Sequence, residues 1–353
     1  MFRKKHSLIK GTLILTSAGL VSRILGFFFR IFLSHTFGEE QVGLYQLIFP
    51  FYALCLSLST SGLETAISRS VSRFHSLGRT QDGKLIFQTG LILSVLISLI
   101  CTLLVQKNSV FLSNRFLGDP RCATLLYLIV LALPAASVHS CICGYHYGLQ
   151  STSVPAISQL IEQFVRISSV FVLYFIFIHR GVHPEIPLAV SGIIFGELAA
   201  AGYSLFSLKK KGFDADSPYI LSISKSCSEL LRLSVPLTVN RTAITFLQGI
   251  EAASIPVCLE LASHSASEAL SIYGVLTGMA LPCILFPSAL TNSVSLLLIP
   301  AVAQKQAESS SKEISPYKKG CRRMFLPWSS VFCLLSSYRV FSRKLPVSQY
   351  FSR

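Results

Sequence analysis

Eight ionisable side chains stand inside strongly apolar stretches of this chain: Arg23, Arg30, Glu64, Glu162, Arg166, Glu197, Arg241 and Glu251. A charge at the centre of an inserted helix costs about 2.5–3.5 kcal/mol on insertion scales, so each is expected to be paired, to face a water-filled cavity or to serve function. Arg23 and Arg30 are seven residues apart, two helical turns, and so share a face. Ser22 and Ser34 flank them and Gly19 and Gly26 repeat the spacing, which makes a small, basic stripe opposite Leu, Ile and Phe. On the structural account, Arg30 reaches out to the interface and Arg23 pairs with a carboxylate. On the chemical account, the stripe is a cationic wall of a central cavity. A guanidinium keeps its charge at physiological pH and presents a planar fork matched to phosphate oxygens, so cavity arginines favour an anionic cargo.

Asn240, Arg241, Gln248 and Glu251 form a second polar face, and Glu64 adds a carboxylate in another span. Together with Arg23 and Arg30 these are the candidate substrate-binding residues. Glu162 and Arg166 are four apart and can pair within one helix; a structural ion pair is expected there. The cluster His139, Cys141, Cys143 and His146 matches no standard zinc spacing, so no metal is expected. The ten cysteines include no CxxC pair and are expected to behave as small buried hydrophobes. No Gly-x-x-x-x-Gly-Lys-Ser/Thr, GxSxG or HExxH motif occurs, so neither catalysis nor a cofactor is expected. Asn240-Arg241-Thr242 fits a glycosylation sequon but lies within an apolar run.

Composition states which elements must hold these residues. Of 353 residues, 51% are hydrophobic and 13% charged, against about 25% charged in soluble domains, and mean hydropathy is +0.59. Several apolar runs reach the roughly 20 residues that cross a bilayer. The expected fold class is an all-α polytopic membrane protein. Eight spans are expected, near 11–33, 43–67, 85–106, 122–143, 156–178, 188–208, 230–256 and 271–303. Arg23 and Arg30 interrupt the first run, which has no A-x-A-like site, so it does not read as a cleaved signal. The net charge of +15 sits mainly in segments between runs, which argues for membrane orientation and against a nucleic-acid partner. Loops on one side carry 18 Lys and Arg and those on the other carry 4; the positive-inside rule then makes the amino terminus cytoplasmic. Pro282, Pro287 and Pro300 predict kinks in the last span, and interrupted helices often line transport paths. Ser61–Ser68 (SGLETAIS) is faintly echoed by Ser288–Ser295 (SALTNSVS); six spans separate them, which suggests parallel six-helix halves.

The residues also resemble a known family. Lys10–Thr16 (KGTLILT), Ser22–Phe27 (SRILGF), Gly43–Pro50 (GLYQLIFP), Thr65–Arg69 (TAISR) and Ser153–Gln163 (SVPAISQLIEQ) are similar to the stage V sporulation protein B family. So are Leu231–Pro236 (LRLSVP), Tyr273–Pro282 (YGVLTGMALP) and Phe286–Val294 (FPSALTNSV). The likeness runs from about residue 8 to 308 and places the chain beside lipid II flippases, among multidrug/oligosaccharidyl-lipid/polysaccharide exporters. It implies a two-lobe bundle around a central cavity in the bacterial plasma membrane. It also implies alternating access that moves a lipid-linked saccharide diphosphate, such as a cell-wall or spore-cortex peptidoglycan precursor, to the outer leaflet. The first-helix Ser-Arg-x-Leu-Gly-Phe motif implies that Arg23 is an essential cavity arginine; Arg30 lies one position later than the family's second arginine, and Arg241 corresponds to a seventh-helix arginine.

The expected organisation is a basic cytoplasmic amino terminus (1–10), a six-helix lobe (11–208), a cytoplasmic linker (209–229), the first two helices of a second lobe (230–303), and a basic segment with a divergent tail (304–353). Because the likeness ends near Met324, the chain reads as a truncated family member. Expected partners are the lipid-linked saccharide diphosphate, membrane lipids and cell-wall synthases. A drug or cation antiporter of the same fold, which would want a cavity carboxylate, and a non-transporting scaffold for cell-wall synthesis are the alternatives.

Overall fold

The computed structural model describes residues 2–210, 222–262 and 265–281. Within them every regular element is a helix: α1 (Phe2–Phe37), α2 (Glu39–Ser76), α3 (Thr80–Lys107), α4 (Cys122–Gly148), α5 (Ser153–His179), α6 (Pro187–Lys210), α7 (Ile223–Leu261) and α8 (Ala266–Val275). Helices α1 to α7 are long and apolar enough to cross a membrane, and each contains one of the first seven expected spans. Several outrun the apolar run that announced them. Helix α7, for instance, begins at Ile223 rather than near residue 230, because helical backbone hydrogen bonding continues through the polar residues that precede the apolar run. The eighth span is met by α8, which starts on a Ser265–Glu268 capping box that satisfies two end N–H groups reciprocally. The three prolines of that span, the second copy of the internal echo and the divergent tail lie outside the described residues.

Residues Ser17–Ile284 form one compact unit; a second unit, Met1–Thr16 with Leu285–Arg353, is described only at the start of α1. Two apolar clusters build the main unit. One gathers the first half of α2 (Leu44, Ile48, Tyr52) with α4 (Leu125, Ile129, Leu133), α6 (Val190, Ile193) and α8 (Leu270, Tyr273). The other gathers the second half of α2 (Leu63, Ile67, Phe74) with α3 (Ile86, Phe87), α4 (Ile142) and Leu230 of α7. Helix α2 is therefore the mast of the bundle, and between its two packed halves lies a π-helical turn, Ser57–Ser61.

Lipid tails are as apolar as leucine, so helices in a membrane associate through close packing and interhelical hydrogen bonds. Both occur here. At the α2–α8 crossing, a Cβ placed on Gly43 would stand 2.2 Å from the Leu270 carbonyl oxygen, and one on Gly274 would stand 2.4 Å from that of Glu39. At the α5–α6 crossing, a Cβ on Gly196 would stand 2.8 Å from the Glu162 carbonyl oxygen. The buried Ser94 hydroxyl of α3 donates to the Ser59 carbonyl at 2.8 Å, and Thr102 to Val130 at 3.0 Å, where α4 narrows into a 3-10 turn.

Ion pairs fasten both ends. Arg73 of α2 pairs with Glu229 of α7 at 2.8 Å. At the other end Arg121 reaches Asp119 and Glu40, each at 2.8 Å. Hydrogen bonds that it donates to Asp119, then to Glu40, hold the Arg121 guanidinium above its ordinary pKa, which ties the α3–α4 connection to the start of α2. These groups are partly exposed, so such pairs contribute little stability and serve mainly to set register.

Candidate functional site: a hydroxyl-lined recess on Arg241

The run Ser57-Leu58-Ser59-Thr60-Ser61 puts four hydroxyls into five residues of α2. Three turn back on their own helix: Ser59 donates to the Cys55 carbonyl at 2.8 Å, Thr60 to Leu56 at 2.8 Å and Ser61 to Ser57 at 2.9 Å. Such back-bonding competes with the backbone ladder, and the ladder here loosens into the π turn, a feature frequent at functional sites. Just beyond it α7 comes against α2. A Cβ on Gly62 would stand 2.5 Å from the Ser234 carbonyl oxygen and 2.0 Å from the Thr238 hydroxyl, so glycine permits the approach. The Ser57 and Thr242 hydroxyls meet across the seam at 3.3 Å.

An open recess of about 370 Å³ results, lined by Ser57, Thr60, Ser61, Arg241 and Thr245 with Ala53, Leu56 and Ile244 as its apolar part. The Thr245 hydroxyl donates to the Arg241 carbonyl at 2.9 Å. The Arg241 guanidinium has no ion-pair partner among the described residues. Glu64, one turn further along α2, is within electrostatic range of Arg241 and of His139 and accepts a hydrogen bond from Ser140 of α4 at 2.7 Å. The chemistry offered is one free fork of N–H donors beside hydroxyls that both donate and accept, a set suited to phosphoryl oxygens.

Of the other candidate binding residues, Asn240, Gln248 and Glu251 lie on the exposed face of α7 and make no side-chain hydrogen bond among the described residues. Arg23 is exposed and likewise has no ion pair there. Arg30 is half-buried, within electrostatic range of Tyr45 and Arg166, and thus turned towards α2 and α5. No contact among the described residues joins either first-helix arginine to Arg241. Ser57, Thr60, Ser61 and Thr245 were missed by reading charges alone, although the density of hydroxyls in an apolar span is a signal for them.

A second polar group sits between α4, α5 and α6. Glu162 and Arg166 form a direct ion pair, and Arg166 also donates to Gln163 at 3.4 Å. The imidazole of His139 lies 2.9 Å from the Ser158 hydroxyl through Nε2 and 3.5 Å from a Glu197 carboxylate oxygen through Nδ1. The four-residue His/Cys group is thus dispersed: the Cys141 thiol turns to the Gly90 carbonyl of α3, while His139 turns to α5 and α6. Potential ligand atoms of His139, Glu162 and Glu197 lie within 4.8 Å of one another. The Arg166 guanidinium already supplies a cation beside them.

The fold is one found in membrane transporters. Over 99% of its length the chain matches 76% of the MATE transporter VcmN of Vibrio cholerae in the bent form, with a TM-score of 0.58 and 15% identity. Over 85% it matches 68% of a MOP superfamily transporter from Pyrococcus furiosus, with a TM-score of 0.56 and 13% identity. At such identities the likeness is one of fold: an all-α helical bundle like that of those two proteins, here with seven helices among the described residues long and apolar enough to cross a membrane.

Sequence then narrows the class. The model of the polysaccharide biosynthesis protein family matches residues 8–306, and the chain belongs to that family. It is 32% identical over 336 residues to stage V sporulation protein B of Bacillus subtilis, and 25% identical over 325 residues to the lipid II flippase MurJ of the same organism. It spans 63% and 59% of the lengths of those two relatives.

Proposed function

We propose that the chain carries the head group of a lipid-linked saccharide diphosphate across the bacterial plasma membrane by alternating access. The observation that supports this reading most is that Arg23, Arg30 and Arg241 all lie within candidate membrane spans and none has a carboxylate partner among the described residues. A guanidinium kept in a span without a counter-charge calls for an anion to visit it. In this reading the diphosphate settles on Arg241 and the hydroxyls of Ser57, Thr60, Ser61 and Thr245. Arg23 and Arg30 supply positive potential along the first helix, and the lipid tail stays in the bilayer. With a cytoplasmic amino terminus and a negative interior, each uncompensated negative charge moved outward gains about 2.3 kcal/mol per 100 mV.

A full-length version carrying Arg23→Ala or Arg23→Lys, reconstituted with a fluorescent lipid diphosphate saccharide, tests this. Head-group exposure on the outer leaflet is expected to fall about tenfold in the alanine variant, the equivalent of one charge-assisted hydrogen bond. Lysine is expected to restore only part, since it keeps the charge and loses the fork. Exposure at the unsubstituted rate in Arg23→Ala would remove Arg23 from the path. Transport of a cationic dye in place of the lipid would favour the antiporter reading, which needs a free carboxylate where Glu64 is bonded to Ser140.

A further inference from the structure

The group between α4, α5 and α6 is not needed for the arginine recess, yet it concentrates charge in the middle of the bundle. Glu197 is only 8% exposed, and its Oε2 atom makes no hydrogen bond of ordinary geometry. The atom it faces is Nδ1 of His139, at 3.5 Å. On the other side of the ring, Nε2 lies 2.9 Å from the Ser158 hydroxyl, whose own hydrogen is directed to the Pro155 carbonyl at 2.9 Å. With the hydrogen on that carbonyl, the serine oxygen accepts and Nε2 carries a hydrogen. If Nδ1 were bare, its lone pair would point at a carboxylate oxygen 3.5 Å away, setting two electron-rich atoms against each other.

Charge counting gives the same answer by a separate route. Glu162 and Arg166 cancel as an ion pair, so a neutral His139 leaves Glu197 as one uncompensated negative charge in a buried place, an expensive arrangement. One added proton brings the group to neutrality, whether it rests on the imidazole or on the carboxylate. Of the surrounding charges, Glu64 and Arg241 oppose each other, and the remaining cation, Arg30 of α1, acts on Arg166 and Tyr45 and not on the two carboxylates. From α2, Tyr52 is near the carboxylates, and Glu64 is near His139. From α4 itself, Cys143 adds a thiol beside the ring.

We propose that His139 and Glu197 constitute a proton-binding site, holding between Nδ1 and Oε2 one proton beyond the hydrogen on Nε2 and thereby joining α4 to α6. The site is separate from the Arg241 recess, and its existence does not depend on which lipid is carried. A carboxylate–imidazole pair that takes up and gives back one proton inside a transporter bundle is the kind of group that links ion movement to helix rearrangement.

The test is spectroscopic and needs no substrate. In the full chain in nanodiscs, with isotopically labelled histidine and glutamate, wild-type protein at neutral pH is expected to show either one membrane-embedded imidazolium or one protonated carboxyl group. Alkaline titration is expected to remove that signal. Glu197→Gln is expected to abolish it, leaving His139 neutral, and Ser158→Ala, which removes the acceptor for Nε2, is expected to shift its titration while keeping both partners. His139→Gln, which leaves Glu197 in place, serves if the Glu197 variant does not fold: the imidazolium is then lost, and any proton left appears on a carboxyl group. A wild-type His139 that is neutral with Nδ1–H beside an ionised Glu197 overturns the proposal, as does a signal untouched by Glu197→Gln.

Discussion

Alanine at position 241 is expected to slow head-group exposure roughly 10- to 100-fold while leaving the fold intact. A hydrogen bond to a charged group is worth about 1.5–3 kcal/mol, and each 1.4 kcal/mol is about a factor of ten. Arg241 has no protein ion pair to lose among the described residues, so truncating it orphans no buried carboxylate nearby; Glu64 keeps the hydrogen bond from Ser140. The loss should therefore appear in transport and not in thermal stability. Arg241→Lys should fall between the two, because lysine places a charge in the recess but cannot hold two oxygens in one plane. The measurement is initial-rate head-group exposure alongside a melting curve, both in a full-length version. A variant that melts normally and transports normally would exclude Arg241 from the cargo site and, with it, the use of the recess as a phosphate seat.

The opposite signature is expected of Gly43→Leu. A Cβ at that position would overlap the Leu270 carbonyl oxygen at 2.2 Å and its carbon at 2.9 Å. These are backbone atoms, so no rotamer change relieves the clash and α8 must move off α2. Gly274 offers no slack from the other side, since its own added Cβ would stand 2.7 Å from the Gly43 nitrogen. Overpacking with no route to relax costs about 3 kcal/mol or more. A collapse of the monodisperse fraction and a large fall in melting temperature are the expected readouts, with Gly43→Ala already impaired. Gly19→Ala is the control, because an added Cβ there meets nothing within 4 Å. Wild-type stability in Gly43→Leu would mean that α2 and α8 do not cross at these glycines.

How far these two expectations were legible beforehand differs by residue. Arg241 announced itself, since a charge in an apolar run is conspicuous whatever it touches. Its setting did not: the hydroxyls beside it come from α2, and Ser57 and Thr242, which meet across the seam, are 185 residues apart. Glu162 and Arg166 are one helical turn apart, so helix geometry alone brings them within reach. His139 and Glu197 are 58 positions apart, and the local grouping of His139 with Cys141, Cys143 and His146 pointed elsewhere. Helical twist spreads those four around α4, whereas the crossing of α4 with α5 and α6 gathers distant residues on one side of it.

By itself, then, the order of residues determined the membrane class, the positions of seven helices and the charges they must carry, because hydrophobicity over about 20 residues acts locally and every backbone group within hydrocarbon has to be satisfied along the same helix. The tertiary structure alone decided which face of each helix turns to which neighbour. That choice rests on contacts such as Gly43 with Leu270 and Gly62 with Ser234, made between segments far apart in the chain, and small changes in rotation or tilt at such crossings determine whether a charge meets a carboxylate, a hydroxyl-lined recess or open space.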